Sequence, residues 1–200
     1  MIAAVVLAAG GSSRLGGRPK QLLTVDGVPI VARVLRAVTL SRVAQTIVVT
    51  GYRGEEVRAA ARAFPVRWLD NPAWSQGMST SLRLGLTALD HTAEGAVIVL
   101  GDQPYLTPDL INRLIDAFAG APAPAIARPV AGSRAGHPVV FSRYFFNLLA
   151  SARGDRGGRE VLDTHAERLV TVPAHPHEIM DVDTWEDLAR CREVTQGTRY

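Results

Sequence analysis

Chemistry is concentrated in the stretch LAAGGSSRLGGRPKQLL, residues 7–23, directly after the apolar opening MIAAVV. Gly10, Gly11, Gly16 and Gly17 let backbone N–H groups approach an anion closely, and Arg14 and Lys20 add positive charge. An arginine fork can hold two phosphate oxygens at once, whereas a lysine delivers a compact point charge on a thin stem. Lys20 is the only lysine in a chain whose Lys and Arg total 22. An ammonium here, where arginine serves everywhere else, points to a site too narrow for a guanidinium. The spacing does not fit G-x-x-x-x-G-K-[ST], because Pro19 precedes Lys20 and Gln21 follows it, nor does it fit G-x-G-x-x-G. The stretch is a phosphate-cradling loop of neither the ATPase nor the dinucleotide kind.

Such a loop must be presented by regular elements. Residues 2–8 form the continuous apolar run expected of a strand buried on both faces. Further strands are expected at 46–50, 66–69 and 95–100. Helices are expected at 29–40, with Pro29 in the first turn, and at 55–64 and 77–89. Another opens on Thr107 and Pro108, with Leu110, Ile111, Leu114, Ile115 and Phe118 as its apolar stripe. Downstream, an edge strand is expected near 125–128, a strand at 139–141, helices at 142–152 and 158–165, and a strand at 169–172. A final helix at 184–192 carries Thr184 and Asp187 as a capping box with Asp in place of Glu. This alternation predicts an α/β fold of three α/β/α layers around a mostly parallel sheet. Ligands bind such sheets beyond the carboxyl ends of the strands. The glycine loop, GDQP at 101–104 and the segment after 169–172 all leave strands at that edge.

Two hundred residues suit one domain, 1–200, and 47% hydrophobic with 20% charged residues is a globular profile. A formal charge of +3 and a sequence pI near 9.5 permit anionic partners. Without a Lys/Arg block or interleaved aromatic and basic residues, nucleic acid is not an expected partner. No run of 18 apolar residues occurs, so no membrane association and a cytoplasmic location are expected. Cys191 stands alone, which excludes a disulfide framework and a cysteine metal cluster.

The opening signature resembles that of the MobA-like NTP transferase superfamily, nucleotidyltransferases with a Rossmann-like, GT-A-type fold. Taken with NPAWSQGMSTSLRLGL at 71–86, VLGDQPYLTPDLI at 99–111, AGHPVVFSRYFF at 135–146, GDRGGRE at 154–160 and DVDTWEDL at 181–188, the chain resembles, more narrowly, the molybdenum cofactor cytidylyltransferases. The resemblance implies a Mg²⁺-dependent enzyme that joins CMP from CTP to molybdopterin, giving molybdopterin cytosine dinucleotide and pyrophosphate. It also implies a molybdenum hydroxylase, or its maturation chaperone, as a protein partner. Two alternatives stand beside it: the same fold with GTP or another phosphorylated acceptor, and a non-catalytic chaperone that binds the molybdenum cofactor.

Nucleotidyl transfer needs no protein nucleophile; it needs cations that neutralise developing charge and align the groups. Mg²⁺ takes one or two carboxylates together with phosphates and water. Asp102, between AVIVL and Pro104, is the first candidate ligand, and with Arg14 and Lys20 completes the expected catalytic set. The second ligand is Asp183 or Asp181, which point the same way in an extended segment. The family pattern favours Asp183. The resemblance further implies that the backbone of Leu7, Ala8, Ala9, Gly10 and Gly11, with Lys20, holds the nucleotide. Gly77, Ser79, Thr80 and Ser81 open a helix whose orphan N–H groups and hydroxyls can meet base, ribose or phosphate. Trp74, just before them, reads as core. For the acceptor, the candidates are Arg134, His137 between Gly136 and Pro138, and Asp155, Arg156 and Arg159 in a glycine-rich basic loop. His175 and His177 lack a third ligand and are not read as a metal site.

Overall fold

The structure, a computed structural model, describes residues 1–11, 15–154 and 158–197. Within them the chain runs β1 (Ile2–Ala8), β2 (Thr24–Val25), β3 (Val28–Pro29), α1 (Ile30–Thr39), β4 (Gln45–Thr50), α2 (Gly54–Ala60), β5 (Arg67–Asp70), α3 (Met78–Thr87) and β6 (Gly95–Leu100). It continues through α4 (Pro108–Gly120), β7 (Ile126–Ala131), β8 (Arg134–Ala135), β9 (Val139–Ser142), α5 (Phe146–Ser151), α6 (Arg159–Thr164), β10 (Leu169–Pro173) and α7 (Trp185–Gly197).

The main sheet has the order β10-β7-β9-β6-β1-β4-β5, with β8 paired to β7. β1 lies between β4 and β6, parallel to both, and β5 extends the parallel run beyond β4. β9 is antiparallel to β6 and to β7, and β10 is parallel to β7. Central β1 is buried on both faces, as its apolar run requires. Ala4, Val6 and Ala8 face the core shared with α1, α4 and α7, whereas Val5 and Leu7 face α3 and α5. The three expected layers follow from this alternation. Among the described residues no helix is long and apolar enough to cross a membrane.

α3 comes unusually close to the sheet. A Cβ at Gly85 would stand 2.3 Å from Val5 Cγ1. The glycine costs this helix about 1 kcal/mol of propensity against alanine but lets it rest directly on β1, which fixes the height of its N-terminus over the strand ends. Both expected helix caps form. The Thr107 hydroxyl accepts from Leu110 N at 3.1 Å. The Asp187 carboxylate accepts from Thr184 N at 2.9 Å, and Asp187 N donates back to the Thr184 hydroxyl at 3.2 Å. Asp is thus long enough for the capping box.

Several expectations change. Residues 125–128 do not form an edge: β7 lies between β10 and β9, and the sheet's edges are β10 and β5. The helix expected at 55–64 stops at Ala60. Pro65 disfavours helical backbone at Phe64, so the pattern could not run to that residue. Pro29 closes β3 and precedes α1 instead of entering it. The β2–β3 hairpin was not anticipated, although Asp26-Gly27, both at positive φ, is the two-residue turn such hairpins favour.

Candidate functional site

Three strand ends converge on one cleft of about 740 Å³. Leu7, Ala9, Gly10 and Gly11 line it from β1 and the loop behind it, Leu100 and Asp102 from β6, and Asp181 and Asp183 from the segment after β10. Lys20, Trp74, Gln76, Gly77 and Ser81 complete most of the wall. The segment carrying Asp181 and Asp183 is tied to β6 by Val182 N donating to the Asp102 carbonyl at 3.1 Å. That backbone bond holds both aspartates beside the end of β6.

The Lys20 ammonium sits between two carboxylates. It is in direct contact with Asp102, and Nζ lies 2.7 Å from Asp183 Oδ1. Burial pulls the Lys20 ammonium's pKa down, but the Asp102 and Asp183 carboxylates more than reverse this and hold it above the ordinary lysine value. Asp102 is only 5% exposed. Burial, and secondarily the charges of Asp181 and Asp183, push its carboxyl up, against the pull of Lys20.

Asp181 has a different partner: its Oδ1 accepts from Arg134 Nη2 at 2.9 Å. The two aspartates have different partners: Asp183 shares the Lys20 cation with Asp102, whereas Asp181 pairs with the exposed Arg134. Among the described residues no three His, Cys, Asp or Glu side chains gather into a coordination cluster. Two carboxylates are nevertheless what Mg²⁺ takes when phosphates and water supply the remaining ligands. The buried Asp102 Oδ1 has no hydrogen-bond partner, as a ligand oxygen awaiting a cation requires. The donor set therefore fits a hard divalent cation.

The nucleotide-side expectations divide. Leu7, Ala9, Gly10, Gly11, Lys20, Gly77 and Ser81 line the cleft. Ala8 does not, because strand alternation turns its methyl into the core on the opposite face. Ser79 is buried and does not line the cleft either. The Thr80 hydroxyl accepts from Asn71 Nδ2 at 2.8 Å, and the Ser81 hydroxyl accepts from the same group at 2.9 Å. These hydroxyls therefore lock the start of α3 to the turn after β5. Asn71 is the residue that sequence reasoning missed here; the turn-forming Asn-Pro pair was its signal. Trp74 is not core. It lines the cleft, its ring 5.3 Å from that of Tyr52. A Cβ at Gly11 would fall 2.8 Å from the Trp74 ring, so this loop glycine makes room for the indole as well as for an anion.

Toward the acceptor side, Gln103 Nε2 donates to the His137 carbonyl at 3.1 Å, which joins GDQP to the GHP turn. His137 is deeply buried; burial lowers its pKa, although a hydrogen bond to the Ile98 backbone and the Asp181 charge oppose this and the Arg128 charge adds to it. The sign for stability follows. Below its ordinary value of 6.5 the unfolded chain takes up a proton that the native imidazole resists, so acidification through that window destabilises the fold. The drop in unfolding midpoint between pH 7 and pH 5.5, buffer values of about the width such a window needs, should shrink in His137→Gln. An equal drop in both proteins would contradict it. His137 and Arg159 line a second cavity, described below. Arg14, Asp155 and Arg156 lie outside the described residues. His175 and His177 stack face to face with ring centroids 5.5 Å apart.

Comparison with known proteins gives the family and the fold. Residues 4–169 match the family model of the MobA-like NTP transferase domain. Nicotine blue oxidoreductase of Paenarthrobacter nicotinovorans is 31% identical, over 94% of this chain and 95% of that one. A 2-C-methyl-D-erythritol 4-phosphate cytidylyltransferase of Pelotomaculum thermopropionicum is 32% identical over 64% of this chain and 56% of its own. The crystal structure of Rv0371c from Mycobacterium tuberculosis H37Rv superposes with a TM-score of 0.84 at 33% identity, covering 96% of this chain and 97% of that one. A structure of the same protein in complex with manganese gives 0.79 at 31% identity, covering 96% and 98%.

Proposed function

Because the chain belongs to the MobA-like NTP transferase family, we propose that it is a cytidylyltransferase that moves CMP from CTP to molybdopterin. The observation that carries this is Lys20 held between Asp102 and Asp183 at the end of a buried strand, facing a glycine loop. A chaperone that only bound the finished cofactor would not need a buried carboxylate with an unsatisfied oxygen.

In this reading the reaction is a displacement at phosphorus. An oxygen of the acceptor's phosphate attacks the α-phosphorus of CTP, the bond from that phosphorus to the bridging oxygen breaks, and pyrophosphate leaves. A divalent cation, Mg²⁺ in this reading, would be held by Asp102 and Asp183 and would neutralise the triphosphate. Lys20 supplies the compact charge nearest that centre and stabilises the oxygens of the α-phosphate and of the leaving group. The backbone of Gly10 and Gly11 and the start of α3 at Gly77 position the nucleotide. Trp74 offers the ring face against which the loop closes. The choice of CTP rests on LAAG and PKQLL in the opening stretch, on the pattern of the related cytidylyltransferases, and on the 32% identity to one of them.

The name of the 31%-identical relative supplies a competing activity, oxidation–reduction. The two are separated by one panel. Purified protein, Mg²⁺ and molybdopterin are incubated with CTP, GTP or ATP and pyrophosphate is followed; in parallel NADH and NADPH oxidation is followed with a quinone acceptor. Pyrophosphate from CTP above the other nucleotides is the expected result. Nucleotide-independent oxidation of the reduced dinucleotide, with no pyrophosphate, would overturn it.

A further inference from the structure

A second cavity, of about 540 Å³, adjoins the nucleotide cleft, and Leu7 and Met78 line both. Leu82, Ile98, Val139 and Phe141 are among its apolar walls. Four polar side chains interrupt them: Arg128, His137, Arg159 and Asp163. The cavity thus sets two guanidiniums beside apolar surface. Arg128 comes from the interior strand β7, and its Nε is buried without a hydrogen-bond partner. His137 Nδ1 is likewise buried and unpartnered. Neither Arg128 nor Arg159 makes a direct ion pair among the described residues; Asp163 acts on Arg128 only through its field. Even partial burial of a guanidinium without a partner is costly, and here burial disfavours the charged form of the half-buried Arg128. An anion arriving in the cavity would offset that cost.

Resting on the transferase assignment above, we propose that this cavity receives the body of the acceptor beyond its attacking phosphate, and that Arg128 and Arg159 bind a second anionic group carried on that body. The acceptor class is then a molecule with an attacking phosphate that reacts at Asp102 and Lys20 and a second anionic group on its body, the dithiolate in molybdopterin, held by the two guanidiniums. The apolar walls take the body between them. Arg128 is a specificity residue for the acceptor and leaves the nucleotide side untouched.

The test is steady-state pyrophosphate release by the full chain at varied CTP and varied molybdopterin. Arg128→Gln should raise KM for molybdopterin about tenfold or more and leave KM for CTP within about twofold, the size expected for loss of one charged hydrogen bond. Arg128→Lys should recover part of this. Asp163→Asn should act in the opposite direction and lower KM for molybdopterin about two- to threefold by removing the competing negative charge, an effect lost packing would not produce. An unchanged KM for molybdopterin in Arg128→Gln overturns the proposal, as does a uniform loss in kcat and both KM values with Asp163→Asn inert. If the wild-type chain transfers CMP to no acceptor, nucleotidyl transfer is excluded and the cavity is tested alone. Inorganic phosphate is then titrated, with CTP filling the cleft, while the side-chain Nε–H signal that Arg128→Gln removes is followed by nitrogen-15 NMR. A saturable shift of that signal supports anion binding at Arg128; a fixed signal overturns it.

Discussion

Asp102→Asn should lower kcat about 100- to 1,000-fold while leaving the protein folded, the range found when one preorganised electrostatic group is removed from a transition state. The side chain is 5% exposed and its Oδ1 is unpartnered, so the substitution removes a buried anionic oxygen that no hydrogen bond occupies. Two opposing terms act on stability. Losing the contact with Lys20 is destabilising, but burial already raises the Asp102 carboxyl and disfavours its charge, and Lys20 keeps Asp183 at 2.7 Å. The net should lie near 1 kcal/mol, which in a chain of this size moves the unfolding midpoint about 2–4 °C. Mn²⁺ affinity, read by electron paramagnetic resonance without substrate turnover, should fall together with kcat. Retained turnover, or lost turnover with unchanged Mn²⁺ affinity, would remove Asp102 from its assigned place.

Lys20→Arg keeps the charge and should still cost about 100-fold in kcat. The ammonium is in contact with two carboxylates at once, and its side chain is 19% exposed. A planar guanidinium is broader, and its fork pairs bidentately with a carboxylate. It would grip Asp102 or Asp183 and fill space the triphosphate needs. Because Lys20 is the only lysine, reductive methylation with carbon-13 gives one side-chain signal, beside that of the N-terminus. That signal should stay constant across the range in which an ordinary lysine, near 10.5, loses its proton. Titration at the ordinary value would mean that the two carboxylates do not hold Lys20 in solution. Near-normal kcat in Lys20→Arg would mean that the shape of the cation is immaterial.

The parts of this site that could be read from the sequence are those set by local rules. GAVIVL is a buried strand by composition alone, so Asp102 had to stand at its carboxyl end. Lys20 was conspicuous because arginine replaces lysine throughout the rest of the chain. Thr107 and Thr184 announced their helices by capping chemistry. What could not be read depends on pairing between distant segments. Asp181 and Asp183 are equivalent by spacing; only the fold brings Arg134 to one and Lys20 to the other. Arg128 ends the stretch 125–128, which reads as an edge strand because it lies in an Ala-, Pro- and Gly-rich segment. β9 and β10 flank that strand on both sides, and this non-local pairing leaves Arg128 half-buried with its Nε without a partner. Trp74 reads as core by size, yet Gly11 and Gly51 make way for it at the cleft wall.

The most direct test of the central claim is the stoichiometry of transfer. Purified protein, Mg²⁺, CTP and molybdopterin are combined, phosphorus-31 NMR follows pyrophosphate, and mass spectrometry follows the acceptor. Cytidylyl transfer predicts that each pyrophosphate released is matched by one molybdopterin carrying an added CMP. Pyrophosphate without a CMP adduct, or no pyrophosphate from any nucleoside triphosphate, would contradict it.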